Sequence, residues 1–276
     1  MVGAGRLDRV SQRWGLRVRD RLGGGSRSEV FAANRHDGRQ VVVKLATGSD
    51  QATREAAALR MWSSTGVTVE LLDADHIDHA LLLARAHPGH PLPASNIMAA
   101  ADILRTLHAV WLPDKGFPAF EDVYPELERS SVDDAAYEQA HRNEPNRGRI
   151  GLDLLDAARE LATALSDTST RRVLLHGDLL AKNLLRDGTC YRAIDPTPMI
   201  GDPCADIGFF AAGTGAVDTI LVRARTMAIH CQQDPQRAER WAVVWTVLDT
   251  ASAWRDDQPA LDLFLAGPDA QRLLDG

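Results

Sequence analysis

Four polar residues at close spacing mark the second half of the chain. They are His176, Asp178, Asn183 and Asp195, within the segments HGDLLAKN and AIDP. Asp178 and Asn183 are five residues apart, so one compact loop can carry both, and Asp195 follows a segment that can return as a hairpin strand. Carboxylate and carboxamide oxygens suit Mg²⁺ bound together with substrate phosphates. The pattern predicts phosphoryl transfer, with Asp178 deprotonating an attacking hydroxyl and Asn183 and Asp195 holding Mg²⁺.

A lysine in the first half of the chain suggests where a nucleotide would bind. Only three of the 31 basic residues are lysines, namely Lys44, Lys115 and Lys182. Lys44 ends the buried-strand pattern VVVKLA, and Glu55 follows eleven residues later on a predicted helix. A strand lysine paired with a helix glutamate positions nucleotide phosphates in kinase-like folds. The alternative is a strand-edge lysine and a solvated glutamate paired with a neighbouring arginine.

One hairpin before Lys44, the stretch LGGGSRSEVF contains three consecutive glycines. Glycines permit close approach of the backbone, and their amides are free to bind anions. Gly24, Gly25 and Ser26 are therefore candidates for a loop covering phosphates. A simple turn is the competing interpretation.

The elements that must position these residues change character along the chain. Residues 16–46 alternate as β structure with a hairpin signal at HDG, 49–65 form a predicted helix that stops at Gly66, and 67–75 and 80–86 form further strands. Predicted helices follow at 96–111 and 151–167, separated by a Pro-rich polar stretch with short helices, and residues beyond about 206 are mainly helical. We predict an α+β protein with a nucleotide-binding lobe at 1–86 and a helical lobe at 87–276 that carries the catalytic loop and the acceptor site.

Composition excludes several classes of function. The 276 residues carry a net charge of −7 and three cysteines without CxxC spacing, which argues against a zinc site or a disulfide framework. No apolar run is long enough to span a bilayer, and the first residues lack a secretory pattern. We expect a cytoplasmic monomer or weak dimer that binds neither nucleic acid nor membrane. Basic residues prevail in 1–90 and acidic residues afterwards, which suits a polyphosphate and a cationic ligand, or is ordinary solvated charge.

Taken together, these motifs resemble the aminoglycoside phosphotransferase family of antibiotic kinases. The segment VLLHGDLLAKNLLRDG, followed by AIDP and GDPCAD, is most similar to the subgroup of streptomycin 6-phosphotransferase and the hydroxyurea kinases. Residues 243–258 resemble the same subgroup. The resemblance implies a bilobal protein-kinase-like fold, with an N-terminal antiparallel sheet plus helix and a mainly helical C-terminal lobe. It also implies ATP and Mg²⁺ as cofactors.

The same resemblance assigns roles to individual residues. It makes Asp178 the catalytic base, Asn183 and Asp195 the Mg²⁺ ligands, and Lys44 with Glu55 the phosphate-positioning pair. The hinge strand that meets adenine would contain Leu83, Ala84 and Ala86. Asp206 and His176 would shape the catalytic loop. Two residues depart from the family pattern, Leu180 and Lys182.

The acidic second half suits a polycationic acceptor. Acidic residues could meet its amines or guanidinium groups, and tryptophans could stack on it. The candidates are Asp202, Asp249, Trp254, Asp256 and Asp257, with Trp111 and Trp245 as further stacking partners. The competing interpretation places the tryptophans in the core and the acidic residues on a solvated surface.

We therefore expect ATP-dependent phosphorylation of a hydroxyl of a cationic antibiotic, which would confer resistance. A streptomycin-like aminoglycoside is the first acceptor considered, and a basic cyclic peptide of the viomycin or capreomycin type is the second. An alternative within the same class is a metabolic kinase for an amine or sugar alcohol. Two other classes remain: a hydrolase with His176, Asp178 and Asp195 as metal ligands, and a catalytically inactive nucleotide-binding module.

Overall fold

A computed structural model describes five stretches of the chain, residues 2–23, 28–112, 116–142, 152–251 and 258–275. The chain divides into two compact units. The sheet unit comprises Met1–Leu92, Pro113–Gly116 and Lys182–Pro198, and the helical unit comprises Pro93–Leu112, Phe117–Ala181 and Met199–Gly276. The predicted division at 86/87 is a single cut in the chain, whereas the segment 182–198 returns to the sheet unit.

Strands occur in both units. In chain order they are β1 (Leu16–Gly23), β2 (Ser28–Arg35), β3 (Gln40–Ala46), β4 (Leu71–Asp75), β5 (Ala80–Ala84), β6 (Pro88–Pro91), β7 (Val173–Leu175), β8 (Leu184–Asp187), β9 (Cys190–Ala193) and β10 (Met199–Gly201).

Most of the helices belong to the helical unit, and the first two belong to the sheet unit. In chain order they are α1 (Val2–Trp14), α2 (Ser49–Trp62), α3 (Ile97–Leu107), α4 (Phe120–Arg142), α5 (Leu152–Asp167), α6 (Pro203–Gly213), α7 (Ile220–His230), α8 (Pro235–Ala251), α9 (Gln258–Ala266) and α10 (Pro268–Asp275).

The sheet unit is built on a five-stranded antiparallel sheet of order β1-β2-β3-β5-β4. The predicted hairpin between β2 and β3 is confirmed, and its turn contains Gly38 with a φ of 84°, a backbone conformation that glycine adopts without strain. Because strand side chains alternate, β3 contributes to two cores. Val41 and Val43 pack in the core that contains Val10 of α1, whereas Val42 packs against the core formed with α2.

Helix α1 was not predicted from the sequence. Its apolar residues Leu7, Val10 and Trp14 recur at helical spacing and pack on the sheet. Arg6 and Arg9 anchor it to the β4–β5 turn, since Arg6 Nε donates to the carbonyl oxygen of Asp78 at 3.0 Å and Arg9 Nε donates to its carboxylate at 3.0 Å. The helix therefore covers one face of the sheet, leaving the other face to α2 and the residues discussed below.

A second, three-stranded sheet of order β6-β8-β9 explains why residues 182–198 belong to the sheet unit. Strand β6 follows β5 directly, and β8 and β9 form a hairpin beside it. Backbone hydrogen bonds from Val69 to Ala193 (3.1 Å) and from Ala193 to Val67 (2.8 Å) tie the hairpin to the segment before β4.

The helical unit is centred on the packing of α6 against α8. A Cβ on Gly208 would lie 2.6 Å from the backbone of Trp241 and Ala242, so only glycine permits this close approach. The expectation of short helices in 112–150 was wrong, because one helix covers Phe120–Arg142 with Pro125 inside it. Pro125 lies near the N-terminus, where it removes one hydrogen bond, and edge-to-face packing of Phe120 on Trp241 (4.9 Å between ring centroids) holds this end in place. In the described stretches, no helix combines the length and apolarity needed to span a membrane.

Candidate functional site

Lys44 lies on the face of β3 turned away from α1. Its strand neighbours Val43 and Leu45 belong to the core on the α1 side, so the alternation of the strand sends Lys44 to the opposite face. There the side chain is buried, with 3% of the residue exposed. A buried ammonium requires compensating charge.

Two carboxylates supply that charge. Lys44 Nζ lies 2.5 Å from Glu55 Oε2 on α2 and also contacts Asp195 Oδ1. Glu55 is fully buried, whereas the side chain of Asp195 is 44% exposed. The predicted pairing of Lys44 with Glu55 is therefore present in the structure, and Asp195 joins the pair as a third member.

The pKa values of the cluster follow from one cation shared between two anions. Burial opposes the ammonium of Lys44, but the charges of Glu55 and Asp195 outweigh burial and raise its pKa. Burial raises the pKa of Glu55 to about 7; Lys44 opposes this effect and the charge of Asp195 adds to it. Glu55 Oε1 is also buried without a hydrogen-bond partner among the described residues. Lys44 thus carries the charge, and Glu55 is harder to ionise than an ordinary glutamate.

Backbone contacts hold Asp195 in place. Ile194 donates its amide to the carbonyl oxygen of Asn183 at 2.9 Å, which brings the two predicted metal ligands onto neighbouring backbone. Asp195 has a φ of 62°, in the left-handed region that aspartate tolerates better than most residues. Asn183 is buried at the end of a short 3₁₀ helix just before β8. One carboxamide and one carboxylate, both hard oxygen donors, fit a Mg²⁺ ion that also binds phosphates.

A cavity of about 380 Å³ in the sheet unit includes this cluster, with Lys44, Glu55 and Asp195 among its lining residues. Its walls are mainly apolar and include Val30, Val42, Val69, Leu185 and Ile194. The volume lies within the range of about 300–1,000 Å³ that is typical of small-molecule sites. A mainly apolar lining that also contains charged groups suits a ligand with a flat apolar part and an anionic part.

The predicted hinge residues Leu83, Ala84 and Ala86 all line this cavity. Leu83 pairs with Val42 across the sheet, and Ala84 ends strand β5. The predicted phosphate-covering residues Gly24, Gly25 and Ser26 lie outside the described residues. Leu22 and Val30, on the strands before and after that segment, both line the cavity.

Asp178 lies in the helical unit, in the loop that follows β7. Its backbone amide donates to Nδ1 of His176 at 3.3 Å, and the side chain of His176 is buried. Leu175 and Leu179 are buried on either side of the loop. The leucines of LLHGDLLAKNLL therefore anchor the segment, and the residue Asp178 is only partly buried.

Asp206 on α6 braces this loop, as predicted. Its carboxylate accepts from the amides of His176 (2.8 Å) and Gly177 (2.9 Å) and contacts Nε2 of His108 at 2.9 Å. Burial opposes ionisation of Asp206, but these hydrogen bonds and the histidine charges outweigh it and lower its pKa. The contribution of His108, which ends α3, was missed; a lone histidine closing an apolar helix was the available signal.

Two of the predicted acceptor residues, Asp202 and Asp249, lie among the residues that the structure describes. Asp202 is buried and accepts from the indole of Trp241 (2.9 Å), from the guanidinium of Arg237 and from the amide of Cys204 (2.9 Å). These bonds make it the N-cap of α6, a structural role that corrects its assignment to the acceptor. Asp249 is half-buried on α8, and the others, Trp254, Asp256 and Asp257, lie outside the described residues.

The two further stacking candidates have opposite environments. Trp245 is a core residue whose indole donates to the carbonyl oxygen of Ala205 at 2.9 Å. Trp111 is 87% exposed. Core packing thus accounts for Trp245, and only Trp111 is open to a ligand.

The hydrolase alternative finds no support in the part of the chain that the structure describes. No group of three or more His, Cys, Asp or Glu residues is placed there to hold a metal ion. His176 instead accepts a backbone hydrogen bond, and Asp195 faces Lys44.

A five-stranded sheet that lines a cavity, with a strand lysine held by a helix glutamate and an aspartate, defines a phosphotransferase of the protein-kinase-like class. The chain is an enzyme of this class, as its sequence predicted. It belongs to the family of aminoglycoside/hydroxyurea antibiotic resistance kinases, whose family model matches residues 13–258.

Individual relatives agree with this membership. A hydroxyurea phosphotransferase of Kitasatospora aureofaciens is 28% identical over 284 residues, covering 95% of this chain and 78% of that protein. A streptomycin 6-kinase of Streptomyces griseus is 27% identical, covering 94% and 88%. The solved ternary complex of streptomycin, ATP and APH(2")-IIa has a TM-score of 0.63 at 16% identity and covers 98% of both chains, a likeness that shows the fold.

The raised pKa of Glu55 predicts a pH dependence of stability. Between about pH 4.5 and about pH 7 the folded protein keeps a proton on Glu55 that the unfolded chain has released, so its unfolding free energy decreases as the pH rises. Glu55→Gln removes this titration. We expect wild-type stability to decline relative to Glu55→Gln by about 1–3 kcal/mol across that window, as measured by urea denaturation. Parallel pH profiles would contradict the expectation, and Glu70→Gln, at an exposed site, is the matched control.

Proposed function

We propose that this enzyme transfers the γ-phosphoryl group of ATP to a hydroxyl of an antibiotic, with a streptomycin-like aminoglycoside as the first acceptor. The product would carry added negative charge on a group that had been a hydrogen-bond donor, and the host would thereby be resistant. One observation carries the nucleotide part of the proposal: the cluster of Lys44, Glu55 and Asp195 in the lining of the cavity.

The nucleotide would contact both the apolar and the charged residues that line the cavity. Apolar side chains such as Val30, Val69 and Leu185 suit the faces of a purine, and the backbone beside Ala84 and Ala86 suits its polar edge. Lys44 would bind the phosphates, because Glu55 holds its ammonium in the lining of the cavity. Glu55 acts here as a positioning residue.

Asn183 and Asp195 would hold Mg²⁺, which when bound would neutralise charge on the phosphates, including those of the departing ADP. Asp178 would accept the proton of the acceptor hydroxyl as its oxygen attacks the γ-phosphorus. The hydrogen bonds of Asp206 to the two preceding amides fix the backbone on which Asp178 lies. Precise placement of the base is worth more than its basicity alone in such a reaction.

The identity of the acceptor rests on the family and on charge. A streptomycin 6-kinase is among the relatives, and the chain has a net charge of −7, with the acidic excess after residue 90. A cationic antibiotic suits that charge. Basic cyclic peptides of the viomycin and capreomycin type share the cationic character and remain the next acceptors within the proposal.

Hydroxyurea is a second candidate acceptor, favoured by a specific observation. The relative from Kitasatospora aureofaciens is a hydroxyurea phosphotransferase that aligns with 95% of this chain. Hydroxyurea is small and uncharged, so the corrected role of Asp202, whose carboxylate is used inside the fold, affects this candidate less than it affects a polycationic acceptor.

Acceptor-dependent ADP release by the purified protein tests the proposal. The panel contains streptomycin, a second aminoglycoside, capreomycin, hydroxyurea and choline, each with ATP and Mg²⁺, and resistance of expressing bacteria is scored in parallel. We expect turnover and resistance with streptomycin. Turnover with hydroxyurea alone would make hydroxyurea, rather than streptomycin, the acceptor. Turnover with choline alone, without resistance, would support a metabolic kinase and overturn the proposed role.

A further inference from the structure

The contact between Lys44 and Asp195 places a cation on a proposed metal ligand. Lys44 Nζ meets Asp195 Oδ1 within the same unit, although 151 residues separate them in the chain. The side chain of Lys44 is 4% exposed, so water screens its charge poorly. A divalent cation bound to the Asp195 carboxylate would therefore meet a poorly screened positive charge at close range.

Glu55 gives the ammonium a second anchor. Glu55 Oε2 already contacts Lys44, and Glu55 Oε1 is buried without a hydrogen-bond partner among the described residues. The ammonium can thus move away from Asp195 without losing all of its compensating charge. Two carboxylates that contact one ammonium form an element with two arrangements, which a ligand can bias.

We propose that Lys44 couples the binding of the nucleotide to the binding of the divalent cation. Its ammonium opposes binding of a free divalent cation at Asp195. Nucleotide phosphates, by binding the same ammonium, weaken its contact with Asp195 and raise the affinity of that carboxylate for the metal. The proposal rests on the proposed nucleotide and metal sites, and it adds the residue that links them, Lys44, through its contact with Asp195.

Reciprocity makes the coupling measurable. If the nucleotide raises the affinity for the metal, the metal must raise the affinity for the nucleotide by the same factor. Removing the ammonium should then have two effects of opposite sign. The affinity for free metal increases, and the further gain produced by nucleotide decreases.

Binding of Mn²⁺ to the full-length protein, followed by electron paramagnetic resonance of the free ion, provides a readout independent of activity. We expect Lys44→Met to bind Mn²⁺ without nucleotide at least about tenfold more tightly than wild type, and Lys44→Met/Asp195→Asn to lose the gained site. A non-hydrolysable ATP analogue should raise the affinity of wild type for Mn²⁺ by a larger factor than that of Lys44→Met.

Lys182→Met is the matched control, since it removes the same charge from an exposed lysine next to Asn183. Its affinity for Mn²⁺ should stay within about threefold of wild type. Equal Mn²⁺ affinities of wild type and Lys44→Met, or an equal gain in Lys182→Met, would overturn the proposal. Should Lys44→Met fail to fold by circular dichroism, Lys44→Gln takes its place with the same expectations.

The two proposals fail in different ways. If wild type phosphorylates an acceptor of the panel but Lys44→Met gains no Mn²⁺ affinity, the coupling is wrong and the proposed function stands. If Lys44→Met gains the Mn²⁺ site but no acceptor is phosphorylated, the coupling stands and the proposed acceptor class is wrong.

Discussion

Asp178→Asn is expected to lower kcat for acceptor phosphorylation by about 10²–10⁴-fold. The substitution keeps the size of the side chain and removes its ability to take a proton. Asp178 is only partly buried. Its backbone amide donates a hydrogen bond to the ring of His176, and Asp206 accepts hydrogen bonds from the amides of the two preceding residues. The loop should therefore keep its conformation, so that the loss is chemical rather than structural.

The affinity for nucleotide distinguishes a chemical loss of activity from a structural one. Because Lys44, Glu55 and the apolar cavity belong to the sheet unit, Asp178→Asn should bind an ATP analogue within about twofold of wild type, a difference below about 0.5 kcal/mol. Asp218→Asn, at an exposed position in the helical unit, is the control and should keep wild-type kcat. An active Asp178→Asn enzyme would show that another group takes the proton.

Residues close in sequence were predicted well, because local chemistry determines their arrangement. The alternation of VVVKLA placed Lys44 on a strand face, and the helix that follows contains Glu55. One turn of difference separates the predicted helix at 49–65 from the observed Ser49–Trp62, which ends in a 3₁₀ turn before Gly66. The ion pair of Lys44 with Glu55 joins one strand to the helix that follows it in the chain, and the structure contains this ion pair.

Contacts that join distant segments were not predictable in the same way. The ion pair of Lys44 with Asp195 depends on the β8–β9 hairpin returning to the sheet unit, and strand pairing between distant segments leaves no periodic signal. His108 meets Asp206 across 98 residues for the same reason. Asp202 was misassigned although a signal existed, since aspartate directly before proline is a typical helix N-terminus.

Replacing Asp206 should cause the largest loss of stability, because three groups meet at one buried carboxylate. Its oxygens accept from two backbone amides and contact His108, and the residue is 2% exposed. In Asp206→Asn the amide nitrogen must face at least one N–H donor, which leaves buried donors without acceptors. We expect the unfolding free energy to fall by about 3–5 kcal/mol at neutral pH, as for a broken buried ion pair.

The pH dependence distinguishes loss of charge from general damage to the core. Since the pKa of Asp206 is lowered in the folded protein, its ionisation stabilises the fold above about pH 4, the ordinary value of an aspartate, and this stabilisation is lost as the pH falls towards the lower folded value. The difference in unfolding free energy between wild type and Asp206→Asn should therefore shrink on acidification below about pH 4. Asp218→Asn should show neither the loss nor its pH dependence. A difference that is constant with pH would mean that the shape of the side chain, rather than its charge, holds the loop before Asp178.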